Sequence, residues 1–266
     1  MSEAETGARP RKGERVAKVI ARAGLCSRRE AERWIAAGRV TLDGERLATP
    51  ATLAGPESAI LVDGQPLPKR EPARLWLYHK PRGLMTTSRD PQGRPTVFER
   101  LPKDMPRVVS VGRLDLTSEG LMLLTNDGSL ARHLALPATG WLRRYRARVY
   151  GTVEPERLAA LAKGATIEGV RYGPIRAHLE EHARPGRTAN AWLALSLAEG
   201  KNREVRRVCE HLGLTVSRLI RVAYGPFQLG GLARGEVREV SRGVLRQQLG
   251  EEAWHGLALG HAHHRR

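Results

Sequence analysis

Val111-Gly112-Arg113-Leu114-Asp115-Leu116-Thr117-Ser118-Glu119-Gly120-Leu121-Met122-Leu123-Leu124-Thr125-Asn126-Asp127-Gly128 is the stretch on which the reading of the chain turns. Its second half, Leu121 to Leu124, is a continuous apolar run closed by Asp127-Gly128, the pattern of a buried strand ended by a turn. Asp115 precedes that strand and follows the turn-forming Gly112, so a carboxylate lies on a short loop between two rigid pieces, with the guanidinium of Arg113 two positions before it. Taken alone, such a pair is an ordinary turn ion pair more often than a reactive group. The rest of the chain decides which it is here.

The chain has 266 residues, enough for one large domain or two unequal ones. No apolar run approaches the roughly 18 residues of a membrane span, and the first fifteen residues are too polar and charged for a secretory leader. Cys26 and Cys209 lie far apart, without the spacing of a disulfide framework or a metal knuckle, so a cytoplasmic protein is expected. Lys and Arg number 45 against 28 Asp and Glu, a net charge of +17. That excess attracts polyanions by counterion release, nucleic acid first and acidic membrane second.

The charge is clustered. After a polar arm over residues 1–13, expected to be disordered, Val16, Val19, Ile20 and Ala23 fall at helical spacing and Gly24 stops the helix. Ser27-Arg28-Arg29-Glu30 is a capping box that starts a second helix, with Ala31, Trp34 and Ile35 inward and Arg28, Arg29 and Arg33 outward. Val40 and Leu42 lead into an Asp43-Gly44 hairpin turn, and Ile60 and Val62 into Asp63-Gly64. Helix N-terminal amides beside guanidinium groups favour phosphate, and the two short helices followed by hairpin strands resemble the alpha-L module of ribosomal proteins and RNA-modifying enzymes, so this small domain, residues 14–67, is expected to bind RNA. Prolines and charges over residues 68–74 make a linker that continues neither strand nor helix.

Beyond the linker, Leu75 to Tyr78 opens a strand that His79-Lys80-Pro81-Arg82-Gly83 turns. The segment Trp141 to Gly151 alternates, with Tyr145, Ala147 and Val149 expected on one face and four arginines, Arg144 among them, on the other. Trp192, Ala194 and Ser196 alternate against Leu193, Leu195 and Leu197 in a later strand. Then Glu199 to Gly213 joins a Gly200 and Asn202 turn to a helix whose apolar face is Val205, Val208, Cys209 and Leu212. Lys201, Arg203, Arg206 and Arg207 place four cations in seven residues there.

The Asp115 stretch, Lys80-Pro81-Arg82-Gly83, the Tyr145 strand and the Lys201 to Arg207 block together resemble the ribosomal RNA pseudouridine synthases that carry an N-terminal alpha-L RNA-binding module. Asp90-Pro91-Gln92-Gly93-Arg94-Pro95-Thr96-Val97-Phe98 is most similar to the synthase B branch of that family, which acts on the large ribosomal subunit. The branch that acts on the small subunit is the alternative. The resemblance covers residues 14–241. It implies an α+β chain in which the alpha-L module is followed by a catalytic domain over residues 75–241, built on a mixed, largely antiparallel sheet with a basic cleft, and then a tail over residues 242–266.

The resemblance further implies isomerisation of uridine to pseudouridine in ribosomal RNA, without metal or organic cofactor; a monomer is expected. Asp115 then acts at the ribose first carbon, as nucleophile or as base, Tyr145 stacks on the flipped base, and Arg206 is the cation paired with Asp115. Arg113, Leu219, Lys201, Asn202 and Arg203 are expected to contact the substrate, Leu219 by lining the uracil pocket. Arg28, Arg29, Arg33, Lys80, Arg82, Arg144 and Arg207 are expected to contact RNA more widely. A non-catalytic RNA-binding protein that kept the fold is the rival reading, and the presence of Asp115, Tyr145 and Arg206 argues against it.

Other chemistries lose their support. His178-Leu179-Glu180-Glu181-His182 spaces two histidines as a zinc protease does, but its Glu stands one residue too late. Gly200-Lys201-Asn202 lacks the rest of a phosphate-binding loop, and no Gly-x-Gly-x-x-Gly opens a helix. His261, His263 and His264 lie in the tail without a carboxylate or cysteine nearby and are read as not binding metal.

Overall fold

The computed structural model describes residues 13–180 and 188–258. The expected arm (apart from Gly13), His182 and the three tail histidines fall outside these residues. The chain divides into two compact units, Met1–Pro72 and Ala73–Arg266.

In the first unit a short strand β1 (Glu14–Arg15) leads into α1 (Val16–Arg22) and α2 (Arg28–Ala36). Ser27 caps α2, its hydroxyl accepting from the Glu30 amide at 3.1 Å. The strands β2 (Val40–Leu42), β3 (Glu45–Arg46), β5 (Ile60–Val62) and β6 (Gln65–Pro66) form one small sheet, while β4 (Leu53–Ala54) pairs β1. Asp43 and Asp63 both adopt positive φ ahead of a positive-φ glycine, as a tight two-residue hairpin turn requires. Val16, Ile20, Ala31, Ile35, Val40 and Ile60 close the core. Pro66 joins a strand at the sheet edge, where a missing N–H costs no ladder bond.

The second unit is a nine-stranded sheet. Its strands are β7 (Leu75–Lys80), β8 (Val109–Val111), β9 (Ser118–Thr125), β10 (Arg143–Thr152), β13 (Ile175–Leu179), β14 (Thr188–Leu197), β15 (Thr215–Tyr224), β16 (Phe227–Gln228) and β17 (Val237–Val240). The main order is β13-β14-β10-β15-β9-β7-β17, with β8 and β16 added on β9 and β15. A two-stranded hairpin, β11 (Ala165–Ile167) with β12 (Val170–Tyr172), stands apart.

All eight residues of β9 are buried, the apolar run Leu121 to Leu124 together with Ser118, Glu119, Gly120 and Thr125. Its even residues Met122 and Leu124 join a core with Tyr145, Ala147, Leu193 and Leu219. Its odd residues Leu121 and Leu123 join another with Leu130, Leu134 and Tyr224. The pairing of β9 with β15 is parallel, Leu219 to Ser118 and Arg221 to Gly120, and the other pairings of the sheet are antiparallel, so the sheet is mixed and largely antiparallel. Gly120 allows this approach. It holds φ at +107°, and a Cβ there would stand 2.3 Å from the Arg221 carbonyl oxygen.

The helices α3 (Gly128–Ala135), α4 (Pro155–Ala160) and α5 (Glu204–His211) pack on this sheet. Asp127 does more than end β9, because its carboxylate caps α3 by accepting from the Ser129 and Leu130 amides at 2.7 and 3.0 Å. The stretch after residue 241, expected to be a tail, begins instead with α6 (Arg242–Leu249) and α7 (Glu251–Ala258). Leu245 of α6 is buried in the core on the Leu121 side, so α6 is held by the same apolar burial as the strands.

Candidate active site

Asp115 lies on the loop between β8 and β9, fixed from both sides. The Gly83 amide donates to the Leu116 carbonyl at 2.8 Å, and the Thr86 hydroxyl donates to the Leu114 carbonyl at 2.8 Å. Lys80 supplies the third hold. Its ammonium is wholly buried and donates to the carbonyls of Pro81, Asp115 and Ser118 at 3.1, 3.1 and 2.9 Å. Burial pushes its pKa down to about 8, opposed by the charges of Asp115 and Glu119. Lys80 therefore corrects its sequence reading as an RNA contact: its three donors are spent on main-chain carbonyls of the loop.

A cavity of about 250 Å³ opens beside this loop. Asp115, Tyr145, Leu219, Arg113, Lys201 and Arg203 all line it. Tyr145 is 9% exposed and Leu219 5%, diagonal neighbours across the β10 and β15 pairing, so an aromatic ring and an aliphatic side chain both wall the cavity. Asn202 and Arg206 are not among the lining residues.

The carboxylate's cation differs from the one expected. Asp115 Oδ2 stands 3.8 Å from Arg203 Nη1. Arg203 is the N-cap residue of α5 and holds the left-handed region, φ 52°, a conformation that costs a non-glycine residue about 1 kcal/mol or more. Arg206, one turn into α5, is buried and donates from Nη1 to the Val216 carbonyl at 3.1 Å and from Nη2 to the Thr117 carbonyl at 3.3 Å. Burial lowers its pKa, the neighbouring Arg203 charge adds to that, and Asp115 opposes it. Arg206 thus feels the carboxylate at longer range and ties the end of the Asp115 loop to the start of β15.

Arg143, Arg221, Tyr224 and Glu204 also line the cavity and were missed in the sequence. Arg143 is buried on the same side of β10 as Tyr145, where alternation puts every second residue; three arginines, not four, face the other way. Its Nη2 donates to the Tyr224 hydroxyl at 2.9 Å, and its guanidinium lies 4.8 Å over the Tyr224 ring. Arg221, buried, flanks that ring at 5.2 Å and donates to the Leu121 carbonyl at 2.7 Å. Parity with Tyr145 was the available signal for Arg143, and parity with Leu219 was the signal for Arg221.

Glu204 is buried and accepts the Lys201 amide on Oε2 at 2.8 Å, while Oε1 has no donor among the described residues. Burial, then the charge of Glu199, pushes its pKa up to about 7, so near neutrality it shares a proton with Glu199. Glu199 stays below its usual range through the Gly173 amide at 2.5 Å and the Lys201 ammonium at 2.8 Å.

The remaining expected RNA contacts are spread out. In the first unit Arg28, Arg29 and Arg33 are exposed, with Arg28 paired to Glu32 and Arg33 to Glu30. In the second, Arg207 is half-buried on α5, Arg144 is exposed on the sheet face away from Tyr145, and Arg82 is exposed beside a second depression lined by Glu119, Arg218 and Arg234.

A basic chain whose sheet holds a carboxylate beside an aromatic-walled cavity is suited to a polyanionic substrate. Comparison with known proteins agrees. The RNA pseudouridylate synthase family matches residues 74–211, and the S4 domain matches residues 14–60. An uncharacterized RNA pseudouridine synthase of Rickettsia prowazekii is 44% identical over 88% of this chain and 97% of its own length. The protein named ribosomal large subunit pseudouridine synthase B in Escherichia coli is 44% identical over 84% of this chain and 77% of its own; its Pseudomonas aeruginosa namesake is 40% identical over 90% and 63%. A crystal structure of a pseudouridylate synthase superposes with a TM-score of 0.61 at 26% identity, covering 88% of this chain and 99% of that one. The chain belongs to the RNA pseudouridylate synthase family and carries an S4 module at its N-terminus.

Proposed function

We propose that the enzyme converts a uridine of large-subunit ribosomal RNA to pseudouridine, with Asp115 as the group that starts glycosidic cleavage. The observation that carries the assignment of Asp115 is its place in the cavity, with Tyr145 and Leu219 on the walls and Arg203 at 3.8 Å. The target base leaves its stack, at a cost of a few kcal/mol, and stacking on Tyr145 and phosphate contacts offset that cost. The C1′ to N1 bond breaks at the ribose, the freed uracil turns within the cavity, and a C1′ to C5 bond replaces it. The C5 proton leaves and N1 gains one, so the product has the mass of the substrate. Arg203 stands 3.8 Å from the Asp115 carboxylate, where it balances the charge of that group. The large-subunit assignment rests on the Asp90 to Phe98 segment and on the names of the 40–44% identical relatives.

The test is incubation of purified protein with large-subunit and, separately, small-subunit transcripts, followed by carbodiimide labelling and primer extension. One new labelled position in the large-subunit RNA, absent with Asp115→Asn, is the expected result. Labelling of the small-subunit RNA alone would move the substrate to the other branch. Labelling by Asp115→Asn would remove Asp115 from the chemistry.

A further inference from the structure

Within the second unit, no helix or strand of the described residues packs on the outer side of β13, β14 and β10, the side away from the cavity. Cross-strand register aligns its residues in rows: Arg176, Ser196 and Arg144; His178, Ala194 and Arg146; Trp192, Arg148 and Arg218; Asn190 and Tyr150. Directly paired residues project to the same side, and the buried partners Tyr145, Ala147 and Val149 alternate with them to the other. Arg176, Arg144, Arg146, Arg148 and Tyr150 are exposed, Tyr150 by 54%.

Two of these arginines are framework. Arg146 pairs with Glu180 and Arg218 with Glu119, and their guanidinium groups lie 4.7 and 5.9 Å from the Trp192 ring. The other three differ: Arg144, Arg148 and Arg176 have no acidic partner among the described residues. A solvated face needs no such separation of paired from unpaired cations, nor an exposed tyrosine at the end of the row.

We propose that this face is a second RNA-binding surface, which takes a single-stranded segment of the substrate away from the target uridine. Arg144 and Arg148 stand four residues apart on one strand, about 14 Å along it, and Arg176 widens the track sideways. Cations that follow a backbone, with an aromatic ring for a base, are what sequence-tolerant single-strand binding requires. The inference rests only on RNA being the substrate, and not on which ribosomal subunit supplies it.

The experiment compares the full-length protein with a triple variant, Arg144→Gln, Arg148→Gln and Arg176→Gln, and with Tyr150→Ala. A control triple, Arg157→Gln, Arg238→Gln and Arg246→Gln, removes the same charge elsewhere. Binding of a 20-nucleotide oligouridylate and of large-subunit transcript is measured against salt, with thermal unfolding confirming that each variant folds. The face triple is expected to weaken binding roughly tenfold and lower the log-log salt slope by about 2, at 0.7 per lost phosphate contact. Tyr150→Ala should weaken oligouridylate binding about fivefold or more, and the control should leave the slope where it is. Equal slopes and affinities for the face and control triples would overturn the proposal. So would unchanged RNA binding with loss of binding to ribosomal proteins, which would give this face to a protein partner.

Discussion

Lys80 Nζ donates to the main-chain carbonyl of Asp115 at 3.1 Å, so the cation nearest the loop's backbone grips the residue and leaves its carboxylate to Arg203. The loop is held by one side chain and the charge balanced by another. The two functions should come apart on mutation.

Lys80→Met leaves the carbonyls of Pro81, Asp115 and Ser118 without that donor inside the protein. The expected cost is about 3 kcal/mol, the range for removing a charged hydrogen-bonding group from a buried site. Denaturant unfolding should show it as a lower midpoint, and single-turnover kinetics as a slower chemical step with little change in RNA affinity. Full activity and stability would mean that the other loop bonds suffice.

Arg203 and Arg206 should separate similarly. Arg203→Gln removes the ion partner of Asp115 and should slow pseudouridine formation by about tenfold or more, with stability within about 0.5 kcal/mol because the side chain is largely exposed. Arg206→Met should instead destabilise by about 2 kcal/mol, since the Thr117 and Val216 carbonyls lose their donor. Single-turnover rates and urea unfolding on the same samples decide. The reverse pattern would restore Arg206 as the partner of Asp115.

Glu204 should make stability fall as pH rises. Its folded pKa of about 7 lies above the usual 4.5, so between these values the folded protein binds the extra proton. The contribution is fully present below pH 4.5 and lost as pH passes 7, at most about 3 kcal/mol by linkage. Glu204→Gln keeps an acceptor for the Lys201 amide and gives Glu199 an N–H in place of the proton. It should match wild type at pH 5 and exceed it at pH 8.5. Parallel thermal unfolding midpoints across that range would show that the pair does not share a proton.

Tyr145→Phe should keep stacking on the base and lose any contact through the hydroxyl, whereas Tyr145→Ala loses both. Stacking is worth about 1 to 3 kcal/mol per base, so the Ala variant should fall about fivefold or further below the Phe variant in single-turnover rate on the same transcript. Equal rates for all three proteins would return Tyr145 to the core.

The sequence carried the architecture wherever one periodicity ruled a segment. The capped α2, the apolar β9 and the alternating β10 and β14 could be read because local pattern and burial agree in them. It also brought Asp115, Tyr145, Leu219 and Arg203 onto one short roll of residues. What escaped it depends on which atoms a long side chain reaches. Lys80 and Arg206 look like surface cations in a line of text, and only the folded chain shows carbonyls waiting for them. Arg144 and Arg143 are adjacent in sequence and part company by strand parity. The helix α6 was missed although its signals are local, with Ser241 as its cap and Leu245 and Leu249 four apart on the face that meets the core.

The parallel contact of Gly120 with Arg221 sets a schedule for the growing protein. The strand that follows the Asp115 loop is paired by one roughly a hundred residues downstream, so a shorter nascent chain lacks the cavity wall that Leu219 and Arg221 supply. The S4 module, made first and built from contacts within itself, is ready long before. During synthesis the molecule is an RNA binder first and becomes an isomerase only when β15 docks, which delays chemistry until the whole cavity is built.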